Sequence, residues 1–332
     1  MSENLVARAI ERGLDPNRSD SHAEAAEQDA HLVAAAPAAE ILADAAAHHA
    51  DVAPTPAVTT EHVGYYDLPV VKPAPWKWFV PAYFYAGGVA GASAVLRGAA
   101  LLVGDRRLAK RLSIISAAGE AIGAALLVAD LGKPQRFHHM IRVVRPTSPM
   151  NVGTWILGAS TLLGALELVR QPKRLDAIGV AQMITGGGLS TYTGVLIGNT
   201  AIPVWNRARV VMPVLFGASA GAAAASLLEL TGARSPLVRR FALATKTAEL
   251  AAARAVEARL GTGVVGAPLR EGRSGAMWRG ARWLQRASLV ATTLRRPRIA
   301  GMLGTAAGVL TRLAIHEAGR ASALDPRATL EP

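Results

Sequence analysis

Residues 78–103 read WFVPAYFYAGGVAGASAVLRGAALLV. The stretch opens on aromatic residues, settles into Gly, Ala, Ser and Val, and carries a single formal charge, Arg97. A bilayer core about 30 Å thick needs roughly 20 helical residues at about 1.5 Å each, so this stretch is long enough to cross one. Soluble core helices can also be rich in alanine, but runs of this kind recur at 112–130, 150–169, 177–202 and 210–230. Their small residues (GGVAGASA, GAALL, GGGLS, GASAGAAAAS) allow close helix approach in lipid, where no hydrophobic force separates helix from acyl chain. Two further regions meet the demand only partly. Residues 237–260 carry a charge every three or four positions, which suits an amphipathic or bundle-lining helix better than a lipid-exposed span. Residues 287–315 are interrupted by Arg295-Arg296-Pro297-Arg298, giving either a broken span or one span from Ile299 to Ile315. The expected fold is all-α, a multi-pass transmembrane helical bundle with five full spans and up to two or three weaker ones.

The composition agrees. Hydrophobic residues make up 51% of the 332 and charged residues 18%, against roughly a quarter charged in soluble domains. Residues 1–62 hold eleven acids and three bases, a net of −8; the whole chain is +12, so residues 63–332 carry +20. Those bases punctuate apolar runs, the pattern of loops facing anionic lipid or an acidic partner rather than nucleic acid. The acidic, Ala-rich segment 1–62 is expected to be a disordered tail with no secretory signal. A membrane domain over 63–318 and a C-terminal tail over 319–332 follow. The loops 104–111, 170–176 and 231–241 hold ten bases, and 131–149 and 203–209 hold six, which places the first set in the cytoplasm and the acidic tail outside.

There is no cysteine, which excludes a thiolate nucleophile, a Cys-ligated metal and a Cys-held iron–sulfur cluster within this chain. A membrane haem needs axial histidines in facing spans. Five of the eight histidines lie in the acidic tail, His138 and His139 in a loop, and His316 near the C-terminal end. Neither haem nor another metal site is expected, so any electron-transfer role needs a partner's electrons and a diffusible carrier.

Ionisable residues gather in two places. Glu120 sits in the middle of the second apolar run, where a lone carboxylate must face the bundle interior or a wet cavity. Arg97 lies at a similar reckoned depth in the first run. The two are expected either to pair across antiparallel helices or to serve a proton path. Residues 129–140, ADLGKPQRFHHM, crowd Asp130, Lys133, Arg136, His138 and His139 directly after that run. Asp130 is expected to pair with Lys133 or Arg136 and fix the loop.

Several segments resemble, in order, the NrfD/PsrC family, the membrane subunits of polysulfide-reductase-like molybdoenzyme complexes. They are WKWFVPAYFYAGGVAGASA, VADLGKPQRFHHMIRVVRPTSPMNVGTWIL, TYTGVLIGNTAIPVW and TRLAIHEAGRASALDPRATLEP. The resemblance covers residues 63–332. It implies a quinone-interacting subunit in the cell membrane. Its implied partners are a ferredoxin-like iron–sulfur subunit and a molybdopterin oxidoreductase subunit, with menaquinone as the expected carrier. With alternating helices, Trp78, Tyr83, Asp130, Arg136, His138, His139, Tyr192 and Asn199 fall toward one face and form the expected quinone site. A structural anchor without quinone chemistry and a solute transporter are the alternatives; the latter class often shows internal repeats, and none is legible here.

Overall fold

In lipid, every backbone polar group must be satisfied within its own segment, which leaves helices or closed barrels. The computed structural model describes residues 68–330 except Gly132, Val143 and Arg234, and among them only helical and irregular structure occurs. The expected disorder of residues 1–62 lies outside the described residues.

Eight long helices carry the fold: α1 (Phe79–Leu102), α2 (Arg106–Asp130), α4 (Pro149–Arg170), α5 (Ala177–Gly198), α7 (Met212–Leu230), α8 (Pro236–Leu260), α10 (Gly272–Thr293) and α11 (Pro297–Leu324). Four short helices sit in the connections: α3 (Phe137–Arg142), α6 (Pro203–Arg207), α9 (Ala267–Arg270) and α12 (Pro326–Leu330). Five of the long helices, α1, α2, α4, α7 and α11, are long and apolar enough to cross a membrane. Four of these were expected as full spans, and α11 matches the weaker span expected from Ile299 to Ile315. The expected fourth span exists as α5, but Gln182, the GGG at 186–188 and its Ser and Thr residues lower its hydropathy. The chain break near 295 falls at Leu294–Arg296, with Arg295 in the left-handed region at φ 56° and Pro297 opening the next helix. The region 287–315 is therefore the end of α10 and most of α11. That helix runs on to Leu324, so residues 319–324 are helix rather than tail.

Consecutive long helices alternate in direction, joined at one end by short links and at the other by longer connections that carry the short helices. One end of the bundle, here the proximal face, gathers residues 68–78, α3, α6, α9 and α12. The distal face gathers the links 103–105, 171–176, 231–235 and 294–296. In the first half, α1 packs on α2 and α5, and α4 packs on the same two. In the second half, α7 packs on α8 and α11, and α10 packs on the same two. Two rings of four helices thus repeat each other in parallel, joined where α7 meets α1 and α5.

The rings are small and polar inside, apolar outside. Helix α4 buries Gly153, Leu157, Ser160, Gly164 and Glu167, and exposes Trp155, Leu162, Leu166 and Val169. That is the arrangement lipid rewards, since apolar side chains cost nothing against acyl chains and small ones bring backbones together. Gly91 of α1 and Gly186 of α5 meet in this way: a Cβ on Gly186 would lie 2.8 Å from the Gly91 carbonyl oxygen. At the proximal face an aromatic core locks the rings together. Trp76 stacks on Trp205 at 5.5 Å, Phe84 meets Phe216 edge-on at 5.7 Å, and the Trp205 indole donates to the Ile315 carbonyl at 2.9 Å.

Candidate functional site

Two tyrosines of the first ring converge near the proximal face. Tyr83 enters one turn into α1, is buried, and lies with its ring between Gly87 and Gly123. Tyr192 is about 10 Å from the end of α5, also buried, with Tyr83 as its ionisable neighbour. Its hydroxyl donates to the Pro149 carbonyl at 2.6 Å, in the first turn of α4. Gly153 makes the space: a Cβ there would overlap the Tyr192 ring. The phenol proton is held by Pro149, so the oxygen presents its lone pairs to the surroundings.

The rest of the expected cluster spreads over the rim. Trp78 is 64% exposed and leans on Phe79 at 4.3 Å. His138 and His139 stand exposed on α3, rings edge-on at 4.2 Å, with His138 Nδ1 2.7 Å from the Gln135 carbonyl. Asn199 is exposed and spends its amide on its own helix, donating to Val195 at 2.8 Å. Arg136 ends a 3-10 turn over Pro134–Arg136, and its side chain lies outside the described residues. Among the described residues Asp130 has no pair with Lys133, and the expected alternative, Arg136, has its side chain outside them. Asp130 accepts from the backbone N–H of Lys77 at 3.4 Å, since residues 76–78 pass beside the end of α2. Asn151 ties the loop instead, accepting from Arg145 N–H at 2.6 Å and donating to Met140 at 3.0 Å.

Below the tyrosines a line of buried polar groups runs to the distal face. Glu120 accepts from Ser160 at 2.6 Å and stands 3.3 Å from Ser116, whose hydroxyl is also 3.1 Å from the Ala90 carbonyl. Gly164 provides its notch: a Cβ there would meet both the Glu120 carboxylate and, at 3.1 Å, Gln182 Nε2. Gln182 Oε1 in turn accepts from Arg97 at 3.4 Å, and Arg97 also donates to Ser113 at 2.7 Å. The acid that Arg97 pairs with is Glu167, not Glu120. The reason is register. Asp105 caps α2 by accepting from Leu108 at 3.0 Å, so the helix starts at Arg106 rather than Leu112. Glu120 therefore lies roughly 20 Å from the distal end and Arg97 only about 8 Å. The line reaches the surface through Arg170, 3.6 Å from Glu167 and 2.8 Å from Asp176. The Gly179 backbone N–H, aided by Arg170, holds Asp176 below the usual carboxylate range.

Glu167, Gln182, Ser160 and Gly153 belong to this constellation without having been expected. Glu167 was legible, since a carboxylate three residues inside an apolar run is itself a signal. Gly153 was not, since nothing in its neighbours tells that a tyrosine from another helix fills its missing side chain. Larger cavities open on the distal face, one of about 730 Å³ ringed by Arg106, Arg107, Lys173 and Arg174. A sequence model of the NrfD_2 family, described as polysulfide reductase, matches residues 62–325. No curated protein matches the chain.

Proposed function

The chain belongs to the NrfD_2 polysulfide reductase family of membrane subunits of oxidoreductase complexes, and from that premise we propose that it is the quinone-reactive subunit of such a complex. The carrier binds in the proximal third of the first ring, and electrons pass between it and a ferredoxin-like iron–sulfur subunit docked on the same face, with a molybdopterin subunit behind. Menaquinone is the carrier this reading expects.

One observation carries the reading: a buried phenol, Tyr192, lies in a glycine-cut notch near the proximal end of a ring whose outer, exposed wall includes Trp78, Met150 and Trp155. An apolar tail fits such a wall, and a head group needs a single polar contact at its end. The fit is chemical as well as steric. With its proton on Pro149, Tyr192 accepts a hydrogen bond from a quinol hydroxyl; by turning from Pro149 it donates to a quinone carbonyl. The bound quinone supplies a two-electron, two-proton couple. Glu120, Gln182, Arg97 and Glu167 support proton movement between this notch and the distal face, Glu120 being the ionisable member deepest in the ring. His138 and His139 stand exposed at the rim, where imidazoles can relay protons to and from water. The exposed bases Lys133, Arg142 and Arg145 favour an acidic partner surface.

The test is quinone turnover by the complex purified with this chain, alongside the electron paramagnetic signals of co-purifying clusters. Tyr192→Phe keeps the ring in its notch and removes the oxygen; turnover should fall about tenfold or more, the cost of one productive hydrogen bond in a dry site. Clusters that co-purify without quinone turnover would instead make the chain a structural anchor.

A further inference from the structure

The second ring contains a line of buried charge that the quinone site does not use. Its axis is α8, which the sequence marks as too charged for a lipid-facing span. Near the distal face, Lys246 Nζ lies 2.5 Å from Glu229 and 2.9 Å from Thr292, whose hydroxyl is 2.8 Å from the second Glu229 oxygen. Glu229 and Thr292 also form the floor of a distal cavity of about 640 Å³, rimmed by Arg239, Arg240 and Arg295. One helical turn beyond Lys246 on the same face of α8 is Glu249, buried and faced by Ser219, Thr311, Lys246 and Arg312. Arg312 donates to the Phe216 carbonyl at 3.2 Å and lies 4.2 Å over that ring. Glu249, Thr311, Arg282 and Gln285 line a small cavity of about 10 Å³, which is room for one water molecule. Gln285 is 2% exposed, and neither its Nε2 nor its Oε1 finds a partner among the described residues. Arg282 leads on to Glu257, which it pairs with and which the Trp278 indole also contacts at 2.7 Å; Glu257 is 35% exposed toward the proximal face.

Stability does not call for this arrangement. Replacing a buried ion pair by well-packed apolar residues is often neutral or stabilising, and α8 could have been built from alanine and leucine throughout. What the arrangement has is continuity. Lys246, Glu249 and Glu257 follow one another along a helix about 37 Å long, enough to cross a bilayer core. Three carboxylates (Glu229, Glu249, Glu257) balance three cations (Lys246, Arg312, Arg282), so no net charge is held in the membrane. The position of Glu249 on the second helix of its ring also repeats that of Glu120 on the second helix of the first.

We propose that the second ring is a proton-conducting path across the membrane, separate from the quinone site, with Glu249 as its central carrier. A proton from water in the distal cavity joins Glu229, which frees Lys246; Lys246 gives its proton to Glu249 and regains one from Glu229. Glu249 passes it to the water site bordered by Gln285, Thr311 and Arg282, and from there it moves along the Arg282–Glu257 pair to Glu257, which releases it at the proximal face. Each transfer breaks one O–H or N–H bond and forms another, no electron moves, and every group ends as it began. The direction follows the transmembrane proton gradient.

The test uses the full chain, with whatever subunits co-purify, in vesicles that contain a pH-sensitive dye and neither quinone nor reductant. A potassium diffusion potential set with valinomycin drives protons inward. Wild-type vesicles should acidify faster than protein-free ones. Glu249→Gln and Gln285→Leu should each slow the difference roughly tenfold or more, while quinone turnover measured separately stays at the wild-type level. Gln285→Leu replaces an amide without a protein partner and should assemble at least as well as wild type, so it serves even if Glu249→Gln does not fold. Wild-type vesicles no more proton-permeable than protein-free ones, or a Gln285→Leu variant that conducts like wild type, would overturn the proposal.

Discussion

Single side chains in this protein act through what sits opposite them on another helix, and that is where sequence reading loses its grip. Tyr83 and Tyr192 were legible as aromatic residues near a span end; that Gly153 admits the second of them was not. Gly153→Ala should push the Tyr192 ring and cost about 1–3 kcal/mol of stability, with quinone turnover falling too, whereas Gly158→Ala, on the exposed side of the same helix with nothing within 4 Å, should be neutral or slightly stabilising. Thermal unfolding in detergent and turnover, measured on both, separate a notch effect from a helix effect. Arg97 shows the same lesson for charge. Its depth in α1 was legible, but its partner depended on where α2 begins, and six residues of helix start moved Glu120 out of reach and left Glu167 in place. Arg97→Ala should cost about 3–5 kcal/mol by leaving buried Glu167 with only the more distant Arg170 as a cation, and much of that loss should return in the double variant Arg97→Met, Glu167→Leu. A double-mutant cycle reads this directly.

At the level of helices, existence was easier to read than limits. Long runs of small and apolar residues announce α1, α2, α4 and α7, and their order is right. Helix α5 was also legible although its glycines dilute its hydropathy, because length and the absence of charge sufficed. Helix α8 was legible as an amphipathic or bundle-lining helix, whereas α10 was less so, since its charge looks like solvent exposure in a one-dimensional string. Caps explain part of the error in limits. Asp176 caps α5, its side chain accepting from the Gly179 N–H at 2.9 Å, much as Asp105 caps α2. Because that contact lowers the folded pKa of Asp176, its stabilisation is complete above the unfolded value of about 3.9 and is lost as pH falls through the folded one. Asp176→Ala should therefore cost about 1 kcal/mol near pH 7, with the gap to wild type closing at about pH 3 or below; unfolding midpoints at the two pH values check both the size and the sign.

At the largest scale the described residues form two parallel rings of four helices inside lipid, and the sequence has no cysteine thiol to hold a wire of its own. The parallel repeat escaped the sequence because the residues that build it, Gly, Ala and Ser, are common to every helix, while the chemistry differs between rings: tyrosines and an Arg–Glu pair in the first, a Lys–Glu–Arg series in the second. A repeat of this kind is also found among transporters, so it is the family membership and the proximal tyrosine notch, rather than architecture, that favour electron exchange with a quinone. The most direct measurement is photoaffinity labelling of the intact complex in membranes with an azidoquinone, mapped by mass spectrometry. The label is expected on the proximal segments 76–83, 149–157 and 192–199, and to be lost when excess quinone competes. Competable label confined to the distal segments 101–107 or 229–240, or found only on partner subunits, would contradict the account.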